Sequence, residues 1–177
     1  MTTTTPTRLD VDSDIAHRSV DSPFGPLLLA ATTRGLVRVA FEREDHGAVL
    51  AALASVGPLR ARSSRRADDA ARQLDQYFAG ERRDFELPVD LRLVRGFRRT
   101  VLGHVRDIPY GATESYAQVA SAAGNPGAVR AVGSACSHNP VPLVVPCHRV
   151  VRRDGTIGDY LGGSEVKAAL LAMEAAA

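Results

Sequence analysis

The sequence predicts an α/β (α+β) chain: a small N-terminal α/β unit, then a mostly helical C-terminal half that contains a helix-turn-helix. Three observations carry this. Short β-type runs bracketed by turn residues fill the stretch from His17 to Phe41. From Phe97 onward the apolar residues recur at helical spacing. Between two of those later helical stretches lies a tight Gly124-Asn125-Pro126 turn.

The expected boundaries are a disordered tail over 1–14, an α/β unit over 15–91, a linker at 92–96 and a helical unit over 97–177. A chain of 177 residues, 45% of them apolar, holds enough hydrophobic material for one core or two small ones. Met1 to Asp14 is Thr-rich and then acidic, without the basic and apolar regions of a secretory signal. No apolar run reaches the roughly 18 residues of a membrane span. Cys136 and Cys147 are the two cysteines, too few for a disulfide framework or a zinc pattern. The expectation is a free thiol in a reducing cytoplasm, with no metal and no cofactor.

In the N-terminal half, His17 to Val20 reads as a strand and Asp21 to Gly25 as a turn, by its Pro23 and Gly25. Leu27 to Ala31 reads as a buried strand, Thr33-Arg34-Gly35 as a hairpin turn and Leu36 to Phe41 as the next strand. Helices are expected at 46–55 and 66–79. The second sets Ala70, Leu74, Tyr77 and Phe78 on one face and stops at Gly80. Phe85 to Leu91 reads as a further strand, and the Arg/Ser-rich segment 60–66 as a linker. No catalytic grouping is visible in this half.

In the C-terminal half, Phe97, Val101 and Val105 form a buried stripe on a helix that ends at Ile108 to Gly111. Ser115 and Gln118 make a capping box for a helix that lines up Tyr116, Val119, Ala120 and Ala123. Asn125 is placed to cap the next helix and Pro126 to open it. That helix is expected to run to about Ser137 and to bury Val129, Val132 and Cys136. Its other face offers Gly127, Arg130, Ser134 and Ser137, small residues around one arginine. Such a face suits a close backbone approach to a narrow surface with one inserted Arg. It equally suits an ordinary helix–helix contact. The last helix, from Ser164 to about Ala175, carries Val166, Leu170 and Met173, with Glu174 at the edge of the stripe.

The chemistry concentrates in Pro146-Cys147-His148-Arg149. A thiol attacks as thiolate, and an adjacent imidazole can take its proton. On a strand the two side chains would point to opposite faces, so a sharp turn is needed between Cys147 and His148, and Pro146 makes a break plausible. A buried structural Cys beside a core His fits the dipeptide as well. A carboxylate at Glu174 is able to hold His148 as a base, although a Glu near a chain end is ordinarily a surface residue. Downstream, Gly158 to Gly163 is a glycine-rich loop whose Tyr160 offers a stacking or hydrogen-bonding wall. Residues 1–91 carry 12 Arg against 14 Asp/Glu, whereas 92–177 carry 10 Arg/Lys against 6 Asp/Glu. The half with the thiol is thus mildly basic, which favours anionic partners.

Taken in order, Ser115-Tyr116, Asn125-Pro126, Arg130-Ala131-Val132-Gly133, Asn139-Pro140, Pro146 to Val150, Tyr160 with Gly162-Gly163, Lys167, Leu170-Leu171 and Glu174 resemble the O6-alkylguanine-DNA alkyltransferases. The clear resemblance covers about 97–174. Asp21 to Leu27 and Leu74 to Gly80 resemble the family's N-terminal domain more loosely. The resemblance implies a ribonuclease-H-like α/β domain followed by a mostly helical one. It implies direct DNA repair, in which Cys147 takes an alkyl group irreversibly from O6-alkylguanine, and from O4-alkylthymine, once per molecule. His148 would accept the thiol proton through an ordered water, Glu174 would orient His148, and Asn139 would brace the turn. Arg130 would replace the flipped nucleotide, and Tyr116 would press on the phosphate. Ser115, Ala117, Asn125, Ala128 and Arg153 match positions that touch DNA in relatives. Tyr160, Leu161 and Gly162 would line the guanine pocket, with the Cys147 and Val150 carbonyls reading the base amino group. Flipping is required because the O6 atom lies within the stacked duplex. The implied partner is double-stranded DNA bearing O6-alkylguanine, met by a monomer with room for cooperative assembly on DNA, and neither a membrane nor a small-molecule cofactor is implied.

Departures from the family pattern are Arg98, Arg99 and Leu102 after Phe97, Ala112 in place of a common Glu, and Leu161 where some relatives carry Ser. Three other readings compete. A cysteine hydrolase would turn over repeatedly and need an oxyanion hole. An alkyltransferase-like lesion binder would lack the cysteine. A helix-turn-helix regulator would present long polar side chains to base edges, unlike the small-residue face of 127–137.

Overall fold

Leu27–Ala31 is apolar at every position, and every position is buried. A strand of this kind needs cover on both faces. In the computed structural model, which describes residues 14–62 and 64–177, it receives that cover. The strand is β2 of a four-stranded sheet with β1 (Ile15–Val20), β3 (Leu36–Phe41) and β4 (Leu59–Ala61), in the order β3-β2-β1-β4. β1 and β3 pair antiparallel with β2, and β4 runs parallel to β1. On one face, Ile15, Leu28, Ala30, Val37 and Ala40 pack under Val49 and Leu53 of α1 (His46–Ala54). On the other, Leu27, Leu29, Val39 and Phe41 pack under α2 (Arg65–Phe78), through Ala67, Ala70, Leu74 and Tyr77. Each large apolar side chain so buried stabilises the fold by about 1.5–3 kcal/mol.

The second apolar cluster does not stop at α2. It continues through Val101, Leu102 and Val105 of α3 (Gly96–Arg106) and Val119 and Ala120 of α4 (Tyr116–Ala122). Val132, Ala135 and Cys136 of α5 (Val129–Ser137) and Leu170 of α6 (Ser164–Ala175) complete it. Its centre holds Val141, Leu143, Val145 and Cys147. Two short strands, β5 (Glu114–Ser115) and β6 (Val150–Val151), pair in parallel and tie the start of α4 to the chain after the cysteine.

The expectations at several places need correction. Phe85 to Leu91 is not a strand. It offers one isolated bridge, Leu36 to Val89, because Pro88 has no N–H to continue a ladder. Segment 60–66 is not a plain linker, since Leu59–Ala61 is β4 and Arg60 pairs with Asp14, a residue assigned to the disordered tail. The rest of that tail, 1–13, lies outside the described residues. α5 starts at Val129 with Ala128 as its N-cap, so Asn125 and Pro126 shape the preceding turn instead of capping and opening the helix. Val129 is 39% exposed and not buried, because the first turn of α5 overhangs the packed body. Glu174, for which an ordinary surface position was the competing reading, is 3% exposed.

Candidate active site

Asn139, fully buried, builds the platform. Its Nδ2 donates to the Val145 carbonyl at 2.8 Å and its Oδ1 accepts the Val141 N–H at 3.0 Å. This braces the loop 141–145, where Leu143 adopts a positive φ of 73°. Pro146, at ψ 64°, then turns the chain into a 3₁₀ turn over Cys147–Arg149. This is the sharp turn that the sequence requires between Cys147 and His148. Cys147 is 2% exposed. Burial pushes its thiol up to about 11, against the opposing pull of the Asn139 side chain and the Lys167 charge. At neutral pH it rests as a thiol.

His148 is wholly buried, and desolvation holds its pKa below the ordinary 6.5 although Glu174 pulls the other way. Its Nε2 lies 2.8 Å from Glu174 Oε1. Burial alone would raise the Glu174 pKa, but hydrogen bonds from His148, Arg149 and Tyr77 outweigh it and hold the carboxyl at about 2. An ionised carboxylate accepts and cannot donate, so the neutral ring carries its proton on Nε2. Nδ1, left as the acceptor, makes no hydrogen bond among the described residues. The Glu174 carboxylate also receives Arg149 Nε and Nη2, both at 2.9 Å, Tyr77 Oη at 2.7 Å and the Gly111 N–H at 3.2 Å. Arg149 stood in the Pro146-to-Arg149 motif without a role of its own and Tyr77 was hidden in an apolar helical stripe, so neither was named a site residue from sequence.

Above the thiol lies the loop Gly158 to Gly163. Tyr160 packs edge-on to Phe41 and His148, with ring centroids 5.6 and 6.2 Å apart, and its hydroxyl is buried without a partner among the described residues. Leu161 and Gly162 are half-buried beside it. A Cβ on Gly162 would press the Phe41 ring at 3.0 Å, and one on Gly163 would collide with Arg43 Nη1. Cavities of about 300 and 410 Å³ flank the loop. The first is lined by Arg43, Ser137, Tyr160 and Leu161, the second by Tyr116, Val129, Cys136, Arg152 and Gly158. Cys147 lines neither of these two cavities. The Val150 carbonyl accepts Lys167 Nζ at 2.6 Å. Among the described residues no group of three His, Cys, Asp or Glu side chains gathers to hold a metal.

The helix pair forms the rim. Ser115 and Gln118 make the capping box of α4, at 3.2 and 2.7 Å. Tyr116 opens α4 half-buried, its pKa pushed up to about 12 by burial. Its hydroxyl sits so close to Gly158 that a Cβ there would lie 2.7 Å away. Asn125, Arg130 and Arg153 are exposed, and Ala117 and Ala128 are half-buried. Ser134 and Ser137 lie open on the same side of α5 as Arg130, and Gly127 is exposed in the turn before the helix, not on it.

Comparison with known proteins accounts for nearly all of this architecture. Residues 15–91 match the model of the 6-O-methylguanine DNA methyltransferase ribonuclease-like domain, and 96–176 that of the same family's DNA binding domain. A methylated-DNA--protein-cysteine methyltransferase of Mycolicibacterium paratuberculosis is 41% identical over 165 residues, covering 90% of this chain and 92% of the relative. The crystal structure of a Mycobacterium tuberculosis O6-methylguanine methyltransferase superposes with a TM-score of 0.79 at 36% identity, over 92% of this chain and 93% of that one. A complex of the Mycobacterium tuberculosis protein OGT with DNA gives 0.77 at 36% identity, over 91% and 93%. A buried Cys-His-Glu relay behind a helix pair, on a chain matched almost end to end, leads to one conclusion: this chain belongs to the 6-O-methylguanine DNA methyltransferase family.

Proposed function

We propose that the protein repairs DNA by moving the alkyl group of O6-alkylguanine, and of O4-alkylthymine, onto Cys147, once per molecule. The helix pair meets a duplex through the small-residue face of α5 and through Ser115, Ala117, Asn125, Ala128 and Arg153. Arg130 fills the place of the flipped nucleotide and Tyr116 presses on its phosphate. Loop 158–163 shifts to admit the base, which Tyr160, Leu161, Gly162 and the Cys147 and Val150 carbonyls hold. The Cys147 proton passes through a water to His148 Nδ1 while Nε2–H stays on Glu174. The sulfur then forms a bond to the alkyl carbon, and the carbon–oxygen bond breaks. The electron pair stays with the base as its O6/N1 anion, which takes up at N1 a proton balancing the one Cys147 gave up, and guanine is restored. A thioether has no ready leaving group, so the cycle stops there.

The observation that carries this reading is the free Nδ1 of a His148 locked by Glu174, next to a thiol in the same turn. Further parts of the proposal are a monomer with room for cooperative assembly on DNA, a cytoplasmic location, and two domains over 15–91 and 97–177 joined by 92–96. No helix among the described residues is long and apolar enough to cross a membrane. Intact-mass measurement after incubation with an O6-methylguanine oligonucleotide tests the chemistry. The expected result is one added methyl, mapped to Cys147, reaching a one-to-one ratio and then no further. Continuous turnover, or DNA retained by an unmodified protein, would overturn it.

A further inference from the structure

Tyr77 belongs to the N-terminal unit, on the face of α2 that also carries Ala67, Ala70 and Leu74. For packing alone, a phenylalanine would serve. The hydroxyl, however, ends inside the relay of the helical unit, 2.7 Å from Glu174 Oε1 and 3.5 Å from His148 Nε2, on a side chain with no exposure. We propose that Tyr77 is a positioning residue for the alkyl transfer put forward above, supplied by the ribonuclease-like unit, and that it sets the proton affinity of His148 through Glu174. The inference rests on that reading of the site.

Glu174 Oε1 takes three donors: the His148 Nε2–H, the Tyr77 hydroxyl and Arg149 Nη2. Every donor draws charge off the carboxylate and weakens its hold on the others. Tyr77 stays a donor, because burial and the neighbouring carboxylate push its pKa far above that of a free phenol. Without the hydroxyl, the same negative charge rests on fewer donors, and the imidazolium form of His148 gains. The other groups facing the relay keep their places. They are Arg149 in the same turn, Lys167 on α6, Cys147, Tyr160 on the loop, and Tyr110 with Arg83 stacked over it; Glu44 acts on Cys147 and Tyr160. Among the described residues, Tyr77 is the donor to Glu174 that comes from the N-terminal unit. Docking of the two units is thereby tied to the readiness of the base.

The test compares full-length wild type with Tyr77→Phe, which keeps the ring. Nitrogen-15 NMR of the labelled histidines without DNA follows His148 directly. The expected result is a His148 pKa higher by about half a unit to one unit. In single-turnover assays on methylated duplex, the acid limb of the rate should move up by the same amount, with the rate above pH 8 changed by less than about threefold. A uniform loss of rate with an unmoved limb and an unmoved His148 titration would reduce Tyr77 to packing and sink the proposal. If the Phe variant does not fold, 3-fluorotyrosine at position 77, a stronger donor of nearly the same shape, should move the titration downward, and no movement counts against the idea. A wild type that fails to alkylate Cys147 refutes the transfer chemistry, while the NMR titration still judges Tyr77.

Discussion

Cys147 is a poor nucleophile at rest. Its thiol pKa of about 11 and the depressed pKa of His148 make the resting pair uncharged, so proton transfer has to accompany attack. An uncharged resting pair keeps the buried sulfur weakly nucleophilic until its proton is taken. The Cys136 thiol is likewise raised by burial, with the Cys147 charge adding to it and the Lys167 charge opposing. Arg130 is the opposite kind of residue. It is exposed on α5 and makes no hydrogen bond or ion pair among the described residues, so its removal costs the fold little. Arg130→Ala should slow repair of duplex DNA on the order of tenfold or more, because flipping costs a few kcal/mol. Reaction with free O6-benzylguanine should change by less than about twofold. Rate constants on both substrates decide it, and equal losses on the two would remove Arg130 from the flipping step.

At the scale of elements, the loop Gly158–Gly163 is held by close approaches instead of a hydrogen-bond ladder. Gly163 has a φ of 100°, and any Cβ there would strike the Arg43 guanidinium. Gly163→Ala should therefore cost about 1–3 kcal/mol of stability. Gly103, on the exposed side of α3 with open space around its Cβ position, is the contrasting case, where Ala should add about 0.5–1 kcal/mol. Thermal melts of the two variants should move in opposite directions, and a Gly163→Ala protein as stable as wild type would contradict the packing described. Elements with strong periodicity or caps were legible in the sequence. β2, β3, the Ser115 capping box and α6 lie where the pattern puts them. β4 was not, since an edge strand of three residues, Leu59 to Ala61, half-buried and then exposed, carries no alternation to read. Phe85 to Leu91 misled for the converse reason. Its apolar residues serve packing, and the edge of β3 is closed by isolated hydrogen bonds instead of a ladder: Leu36 N–H to the Pro88 carbonyl, Asp90 N–H to the Leu36 carbonyl and Val39 N–H to the Pro140 carbonyl.

Across the whole molecule, one apolar core runs from β2 and β3 through α2 into the helical half, and one buried polar network crosses the same boundary. Both make stability depend on pH. His148 has a folded pKa below its ordinary 6.5, so below that pH the unfolded chain binds the extra proton and stability falls. Glu174, at about 2 against an ordinary 4.5, contributes stability that is present above pH 4.5 and lost as the pH drops toward 2. Urea midpoints should therefore decline from pH 7 to 5 and again below 4.5. A midpoint flat from pH 7 to 4 would show that the network does not support the fold. Because the network spans both units, they should unfold in a single transition.

The sequence by itself determined the fold class, the succession of most elements and the short list around Cys147 and His148, because these follow from local periodicity, turn chemistry and side-chain type. Only the tertiary structure decided that Glu174 is buried, that Arg149 and Tyr77 join it, and that the sulfur itself is almost fully buried. Burial and partnership between residues nearly a hundred positions apart are properties of packing, and no window of sequence contains both partners.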